Sequence, residues 1–176
     1  VEIWYTSITI GADGLPVISY HDNTNENLKV AHCGNPNCTV GNAITTVDSS
    51  ARVGSYNAIT IGVDGLPVIS YYDVTNKNLK VVHCGDAACS AGNTITVVDS
   101  GATGYSTSIA IGVDGLPIIS YKKWGSPQAL KVAHCLDITC STSNITTVDS
   151  TGGISGTSIT ICADGLPVIS YFKESS

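Results

Sequence analysis

The sequence predicts an all-β fold assembled from one four-stranded antiparallel unit copied along the chain. Three observations carry that prediction. The octapeptide Asp13-Gly14-Leu15-Pro16-Val17-Ile18-Ser19-Tyr20 returns at Asp64 to Tyr71, at Asp114 to Tyr121 with Ile118 for the valine, and at Asp164 to Tyr171. Successive copies start 51, 50 and 50 residues apart, and such a fixed period marks units stacked so that neighbours bury each other's apolar faces. Only 12% of the 176 residues are charged while 43% are hydrophobic, with Gly 18 and Met 0, a balance that suits compact β-structure rather than disorder.

Each copy contains four strand-like runs. The first is Ser7-Ile8-Thr9-Ile10, matched by Ala58 to Ile61, Ser108 to Ile111 and Ser158 to Ile161; its alternation of polar and apolar residues is the period of a pleated strand. A Gly-x-Asp-Gly link follows, such as Gly62-Val63-Asp64-Gly65. Asp-Gly between alternating runs predicts a hairpin whose two turn residues both take positive φ. The second run, Leu66 to Asp73 and its equivalents, is dense in Val, Ile and Tyr, which predicts burial on both faces. Pro67 opens it, where a missing N–H does little harm. After an Asn-rich turn comes the third run, Leu28 to Cys33, repeated at Leu79 to Cys84 and Leu130 to Cys135. A Cys-bounded loop leads to the fourth, Ile44 to Asp48, repeated at Ile95 to Asp99 and Ile145 to Asp149. No segment reads as a helix of useful length.

Four antiparallel strands per ~50 residues is the unit of a β-propeller blade. A solenoid would want a shorter period, and a sandwich would not need near-identical copies. The expected organisation is one domain over residues 1–176, with blades at about 5–50, 51–101 and 102–151 and a half-blade at 152–174. Propellers typically have about four to eight blades. Three arrangements compete: a piece of a longer chain, a small four-bladed ring with one thin blade, or a ring completed by a second copy. An unpaired strand edge invites pairing, so the expected partner is the protein itself or the rest of a longer chain.

The net charge of -6 and only 8 basic residues argue against nucleic acid, whose affinity rests on Lys and Arg neutralising phosphates. No apolar run approaches the ~18 residues of a membrane span. The sequence opens with neither Met nor a signal peptide, as mature or excised material would.

Six of the seven cysteines form one pattern, Cys33/Cys38, Cys84/Cys89 and Cys135/Cys140, each C-x4-C in the same place of its copy. Hairpin geometry can bring each pair within disulfide range. A metal is the competing reading, because His32, His83 and His134 each precede the first Cys. Neighbouring strand residues point to opposite faces, however, so His32 and Cys33 cannot aim at one ion. Disulfides are therefore expected, with the histidines as partly buried, hydrogen-bonded strand residues and no cofactor. An oxidising compartment follows, and the acceptor patterns Asn37-Cys38-Thr39 and Asn144-Ile145-Thr146 fit secretion. Cys162 replaces the glycine of the other copies; it reads as a small buried thiol or as a free or intermolecular one.

No catalytic signature stands out. Asp13, Asp64, Asp114 and Asp164, and again Asp48, Asp99 and Asp149, are copied with their surroundings, whereas an enzyme site is asymmetric. What departs from the repeat is Lys122-Lys123-Trp124-Gly125-Ser126-Pro127. Trp124 in that turn is a candidate ligand or partner contact, or a rim residue covering the blade edge. Trp4 is a second candidate.

From Tyr5 to Ala31, Tyr-Thr-Ser-Ile-Thr-Ile, Asp-Gly-Leu-Pro-Val-Ile-Ser-Tyr-His-Asp and Leu-Lys-Val-Ala resemble the repeats of secreted bacterial β-propeller proteins of the sialidase-like and lectin-like group. The resemblance runs over nearly the whole chain. It implies a Ser-Ile strand nearest the axis and an extracellular or surface protein. That group holds hydrolases, lectins and scaffolds alike, so fold does not choose among them. The Asp box of sialidases (Ser-x-Asp-x-Gly-x-Thr-Trp) is absent, and Arg52 is the only arginine, too few to clamp a sialic acid. The expectation is a non-catalytic module for recognition, adhesion or self-assembly. A lectin with repeated sites between blades is the first alternative and a glycoside hydrolase the second.

Overall fold

The structure, a computed structural model, describes residues 5–174. The first sheet runs in the order β1 (Thr6–Ile10), β2 (Pro16–Asp22), β3 (Asn27–His32) and β4 (Ala43–Asp48). The second has β5 (Val53–Ile61), β6 (Pro67–Asp73), β7 (Asn78–His83) and β8 (Thr94–Asp99). The third has β9 (Thr103–Ile111), β10 (Pro117–Lys123), β11 (Ala129–Cys135) and β12 (Ser143–Asp149). The fourth holds only β13 (Ile154–Ile161) and β14 (Pro167–Lys173). Every pairing is antiparallel, and no helix occurs among the described residues.

The four sheets share an inner seam, because β1 packs on β5, β5 on β9 and β9 on β13. The result is a propeller-like all-β fan. It does not close on itself. Ile8 and Ile10 stay exposed on β1, as do Val168 and Phe172 on β14, so the self-closed four-bladed ring is excluded as the state of the isolated chain.

The Asp-Gly hairpins form, with a different turn from the one expected. Gly14 takes a φ of 79° while Asp13 does not enter the left-handed region. Gly14 N–H bonds the Gly11 carbonyl at 2.9 Å, and Gly11 N–H bonds the Leu15 carbonyl at 2.8 Å. That is a type I turn followed by one left-handed residue, the longer hairpin loop, rather than a two-residue turn. Asp13 is retained because its Oδ1 accepts from Leu15 N–H at 3.0 Å.

The second strand is buried on both faces in the three complete sheets, as its composition predicts, with every residue of β6 buried. In the two-stranded sheet, by contrast, β14 stays largely exposed. One apolar cluster joins Val17, Leu28 and Val30 of the first sheet to Ile69, Tyr71 and Val82 of the second. The next joins Val68, Leu79 and Val81 to Ile119, Tyr121 and Ala133. Each such side chain contributes about 1.5–3 kcal/mol through removal from water. Two of the three disulfides belong to these clusters instead of standing out in loops, since Cys84, Cys89, Cys135 and Cys140 are all buried, whereas Cys38 of the first is half-buried. Close backbone approach fixes one more residue type. A Cβ on Gly54 would stand 2.8 Å from the Leu28 Cα of the preceding sheet, and one on Gly104 would stand 2.8 Å from the Leu79 Cα.

A polar latch repeats at every junction. Asp48, at the end of β4, accepts from Tyr71 Oη at 2.7 Å and from Lys80 Nζ at 3.1 Å, both of the next sheet. Asp99 is gripped in the same way by Tyr121 and Lys131. Asp149 is held by Tyr171 at 3.0 Å and by Lys173 at 2.9 Å. In the first sheet the equivalent Lys29 turns to Asp22 of its own sheet, at 2.8 Å.

Burial of Asp48 works to raise its pKa, yet hydrogen bonds from Ser50, Tyr71 and Lys80 outweigh it and hold the carboxyl below its ordinary value. Asp149 is also lowered, through bonds from Thr151 first and Lys173 next. A depressed pKa adds stability that is complete above the unfolded value and is lost as pH falls through the folded one. The melting temperature should therefore hold to about pH 5 and drop below the ordinary aspartate value of 3.8. Tyr71→Phe should cost about 1.5–3 kcal/mol near neutrality, as expected for a hydrogen bond to a charged group. Thermal melts that stay level down to about pH 2 would refute this account of the latches.

Candidate functional site

The two rims of the fan carry different chemistry. One holds the Asp-Gly turns, the disulfides and three His–Asp pairs. The other, formed by the starts of the inner strands and the ends of the second strands, gathers aromatic rings.

Those rings are placed by a bulge. Register shifts between Ser55 and Ala58 where β5 pairs with β6, and Tyr56 there adopts a φ of 53°. Tyr5, Ser106 and Gly156 occupy the same position, with φ of 66°, 51° and 53°. For a non-glycine residue this conformation costs about 1–2 kcal/mol. The next sheet stabilises it: Asn57 Nδ2 donates to the Tyr5 carbonyl at 2.8 Å, Thr107 Oγ1 to Tyr56 at 2.7 Å and Thr157 Oγ1 to Ser106 at 2.7 Å. The same side chains bond the serine of the preceding second strand, Ser19 to Asn57 at 2.6 Å, Ser70 to Thr107 at 2.9 Å and Ser120 to Thr157 at 2.9 Å. A bulge at such a place redirects a side chain out of the ladder.

The redirected rings touch across blades. Tyr5 and Tyr56 have centroids 4.2 Å apart, Tyr56 and Tyr105 5.6 Å, Tyr72 and Tyr105 4.1 Å, and Tyr105 and Trp124 5.7 Å. Tyr72 Oη donates to Tyr105 Oη at 2.7 Å. Two clefts open between them. The first, of about 300 Å³, includes Tyr5, His21, Arg52, Tyr56, Tyr72 and Tyr105 in its walls. His21 is oriented by its Nδ1–H, which donates to the Val53 carbonyl at 2.8 Å. The second, of about 460 Å³, is lined by Tyr56, Tyr105, Ser106, Lys122, Trp124 and Ser155. Neither wall contains a carboxylate among the described residues.

Burial, and then a hydrogen bond with Tyr56, pushes the Tyr5 phenol up to about 12. Burial and the bond to Tyr105 likewise raise Tyr72. Tyr71 and Tyr121 are raised further by burial beside the latch carboxylates.

Trp124 is half exposed on this rim, within the second cleft. Trp4 lies outside the described residues. The six patterned cysteines pair as expected, each bond with Cα atoms 4.8 Å apart. Cys162 is a free, exposed thiol, which corrects the buried reading: in the two-stranded sheet no further strands cover the turn that carries it. His32, His83 and His134 each meet the hairpin aspartate, Asp13, Asp64 or Asp114, at 2.8 Å through Nε2. Among the described residues no group of three His, Cys, Asp or Glu side chains is arranged to hold a metal, and no helix is long and apolar enough to cross a membrane.

The cleft tyrosines are absent from the candidates read in the sequence. Tyr5 and Tyr56 share one repeat position, but Tyr105 stands one residue earlier relative to its Asp-Gly turn. Strict alternation would send it to the opposite face from Tyr56. Only the bulge brings both to one rim.

No protein-family model matches the chain, and no curated protein does. Solved structures do. A thermostable family-43 glycoside hydrolase superposes with a TM-score of 0.65 at 12% identity, covering 98% of this chain and 66% of that one. The intramolecular trans-sialidase from Ruminococcus gnavus gives 0.64 at 15%, covering 94% of this chain and 38% of its own. A fucose lectin from Kordia zhangzhouensis gives 0.53 at 10%, covering 81% and 96%. The chain thus spans from about two fifths to about two thirds of the length of the two enzymes. At such identities the likeness is one of fold: propeller-like and shared with carbohydrate-active proteins.

A raised phenol pKa adds stability that is complete below the unfolded value of 10.0 and is lost as pH rises towards the folded one. In an absorbance titration Tyr5, Tyr71, Tyr72 and Tyr121 should stay protonated at about pH 11, and the fold should weaken progressively above pH 10. Ionisation of all eight tyrosines as one ordinary class in the folded protein would refute the packed aromatic rim.

Proposed function

We propose that this protein is a non-catalytic, secreted carbohydrate-recognition module of the sialidase-like and lectin-like propeller group, binding sugars in the aromatic clefts between its blades. The observation that carries this reading is the convergence of Tyr5, Tyr56, Tyr72, Tyr105 and Trp124 on one rim. An aromatic wall with a few polar groups is the usual character of a small-ligand cleft, and flat rings offer large contact area at low entropic cost. Two clefts side by side suit individually weak, multivalent binding. Three disulfides fit an oxidising, extracellular setting.

Hydrolysis is disfavoured by the walls themselves. A glycosidase of the usual kind needs two carboxyl groups about 5–9.5 Å apart across the scissile bond. The repeated aspartates of this protein are instead engaged in hairpin turns and latches, outside both clefts. A panel of neutral oligosaccharides measured by titration calorimetry should give binding in the weak, sub-millimolar range, about −4 to −6 kcal/mol. Trp124→Ala or Tyr56→Ala should weaken it about tenfold, the equivalent of ~1.4 kcal/mol. Turnover of any chromogenic glycoside, or indifference of binding to both substitutions, would overturn the proposal.

Self-association is supported by the two open ends of the fan. One exposes Ile8 and Ile10 and the other Val168 and Phe172. Tyr20 and Lys29 of the first sheet lack the cross-blade carboxylate that serves Tyr71, Tyr121 and Tyr171 and that serves Lys80 and Lys131. A second copy seated on these ends would cover both strips. The molar mass from sedimentation equilibrium in dilute solution should then rise with concentration, unaffected by reductant acting on Cys162. A monomer at every concentration tested would remove self-association.

A further inference from the structure

The second cleft is edged by a cation that has no paired counter-charge among the described residues. Lys122 is only 8% exposed, yet its ammonium has no carboxylate within 4.0 Å among the described residues. Four of the other five strand lysines are compensated by carboxylates: Lys29 by Asp22, Lys80 by Asp48 and Asp73, Lys131 by Asp99 and Lys173 by Asp149. Lys123, at the end of β10, donates to the Pro127 carbonyl at 3.4 Å. At the same place in the other sheets stand His21, Tyr72 and Phe172. His21 and Tyr72 make hydrogen bonds to Val53 and Tyr105, whereas Lys122 Nζ has only the face of Trp124, 4.4 Å from the ring centroid.

The stem of Lys122 is packed away while its ammonium reaches the cleft, where an unpaired and partly desolvated charge attracts an anion. Burial lowers the Lys122 pKa, with the more distant carboxylate of Glu174 opposing, so the charge is under strain and gains from an incoming anion. Around it the wall is Tyr56, Tyr105, Ser106, Trp124 and Ser155, rings and hydroxyls with no acid to repel one. The first cleft differs in this respect, because its cation, Arg52, already meets Glu26 at 3.4 Å.

We infer that the cleft between the third sheet and the two-stranded sheet recognises a carboxylate-bearing saccharide of the uronic acid kind, with the sugar ring against Trp124 and its carboxylate on Lys122. This rests on the carbohydrate-binding reading and adds to it the class of sugar. A flat cation–aromatic pair offers both elements such a ligand needs: an apolar face for the ring and a charge-assisted hydrogen bond for the acid.

Titration calorimetry of the whole chain with a galacturonic acid trimer and with its carboxyl-reduced galactose counterpart separates the two levels. The acidic trimer should bind about tenfold more tightly, and the difference should shrink in about 0.5 M salt through screening. Lys122→Gln should abolish the preference by bringing the acidic trimer down to the affinity of the neutral one, and Lys122→Arg should keep it. Thermal melts of both variants report whether the fold survives, and the preference of the unsubstituted protein needs no variant at all. Equal binding of the two trimers, or a preference that persists in Lys122→Gln, overturns this inference and leaves the carbohydrate reading standing. Binding of neither trimer, together with silence towards the neutral panel, overturns both.

Discussion

Every feature of this protein depends on how one inner strand holds the next. Asn57, Thr107 and Thr157 each reach back across a junction to two groups at once, the carbonyl of a bulged residue and the serine hydroxyl of the neighbouring second strand. A buried carbonyl left unpaired would cost about 1–3 kcal/mol, so the bulge and the junction stand or fall together. The left-handed backbone at Tyr5, Tyr56 and Ser106 is tolerable only because the following sheet satisfies the carbonyl it exposes. Packing of sheets is thus what makes the strained conformation possible, and the strained conformation is what turns the rings outward into a cleft.

Farther from the seam, the latches and the sulfur bridges do a different job. The Asp–Tyr–Lys contacts tie the outermost strand of one sheet to the middle strands of the next, beyond the reach of the inner strands. The disulfides close loops of short span, for which the chain-entropy contribution is on the order of 2 kcal/mol each. Their sulfurs also fill the apolar layer between sheets. Low charge and abundant small residues follow from this design. Sheets that face other sheets on both sides leave little surface for charged side chains, and Gly54 and Gly104 let one backbone lie directly on another.

Much of the fold was legible because repetition amplifies weak signals. One Asp-Gly-Leu-Pro segment proves little, but four at a constant spacing define strand two and the turn before it. The C-x4-C loops were readable for the same reason, since hairpin ends bring the two cysteines together whatever the surrounding packing. Where legibility failed, the cause was a departure from regular geometry. The hairpin took a type I turn with Gly14 alone left-handed because Asp13 gains more by bonding Leu15 N–H. Cys162 is exposed where the equivalent glycines are half-buried, because only two strands form its sheet. The aromatic rim was hidden most completely. A bulge changes which face a residue occupies, and no pattern of period two can reveal where the period breaks.

Repetition also explains where function should be sought. Residues identical in every copy serve what every copy must do, which is to fold and to dock on its neighbour. The position occupied by His21, Tyr72, Lys122 and Phe172 is different: the backbone around it is repeated, yet its side chain changes character each time. Three of these side chains are buried residues at the aromatic rim, His21 and Tyr72 in the first cleft and Lys122 in the second, while Phe172 is exposed at the open end. A buried histidine and tyrosine there find partners within the protein, and only the lysine does not. Stability alone gives little reason for a partly desolvated ammonium with no carboxylate partner, since an uncharged residue there would avoid the desolvation cost. A ligand carrying the missing negative charge supplies one.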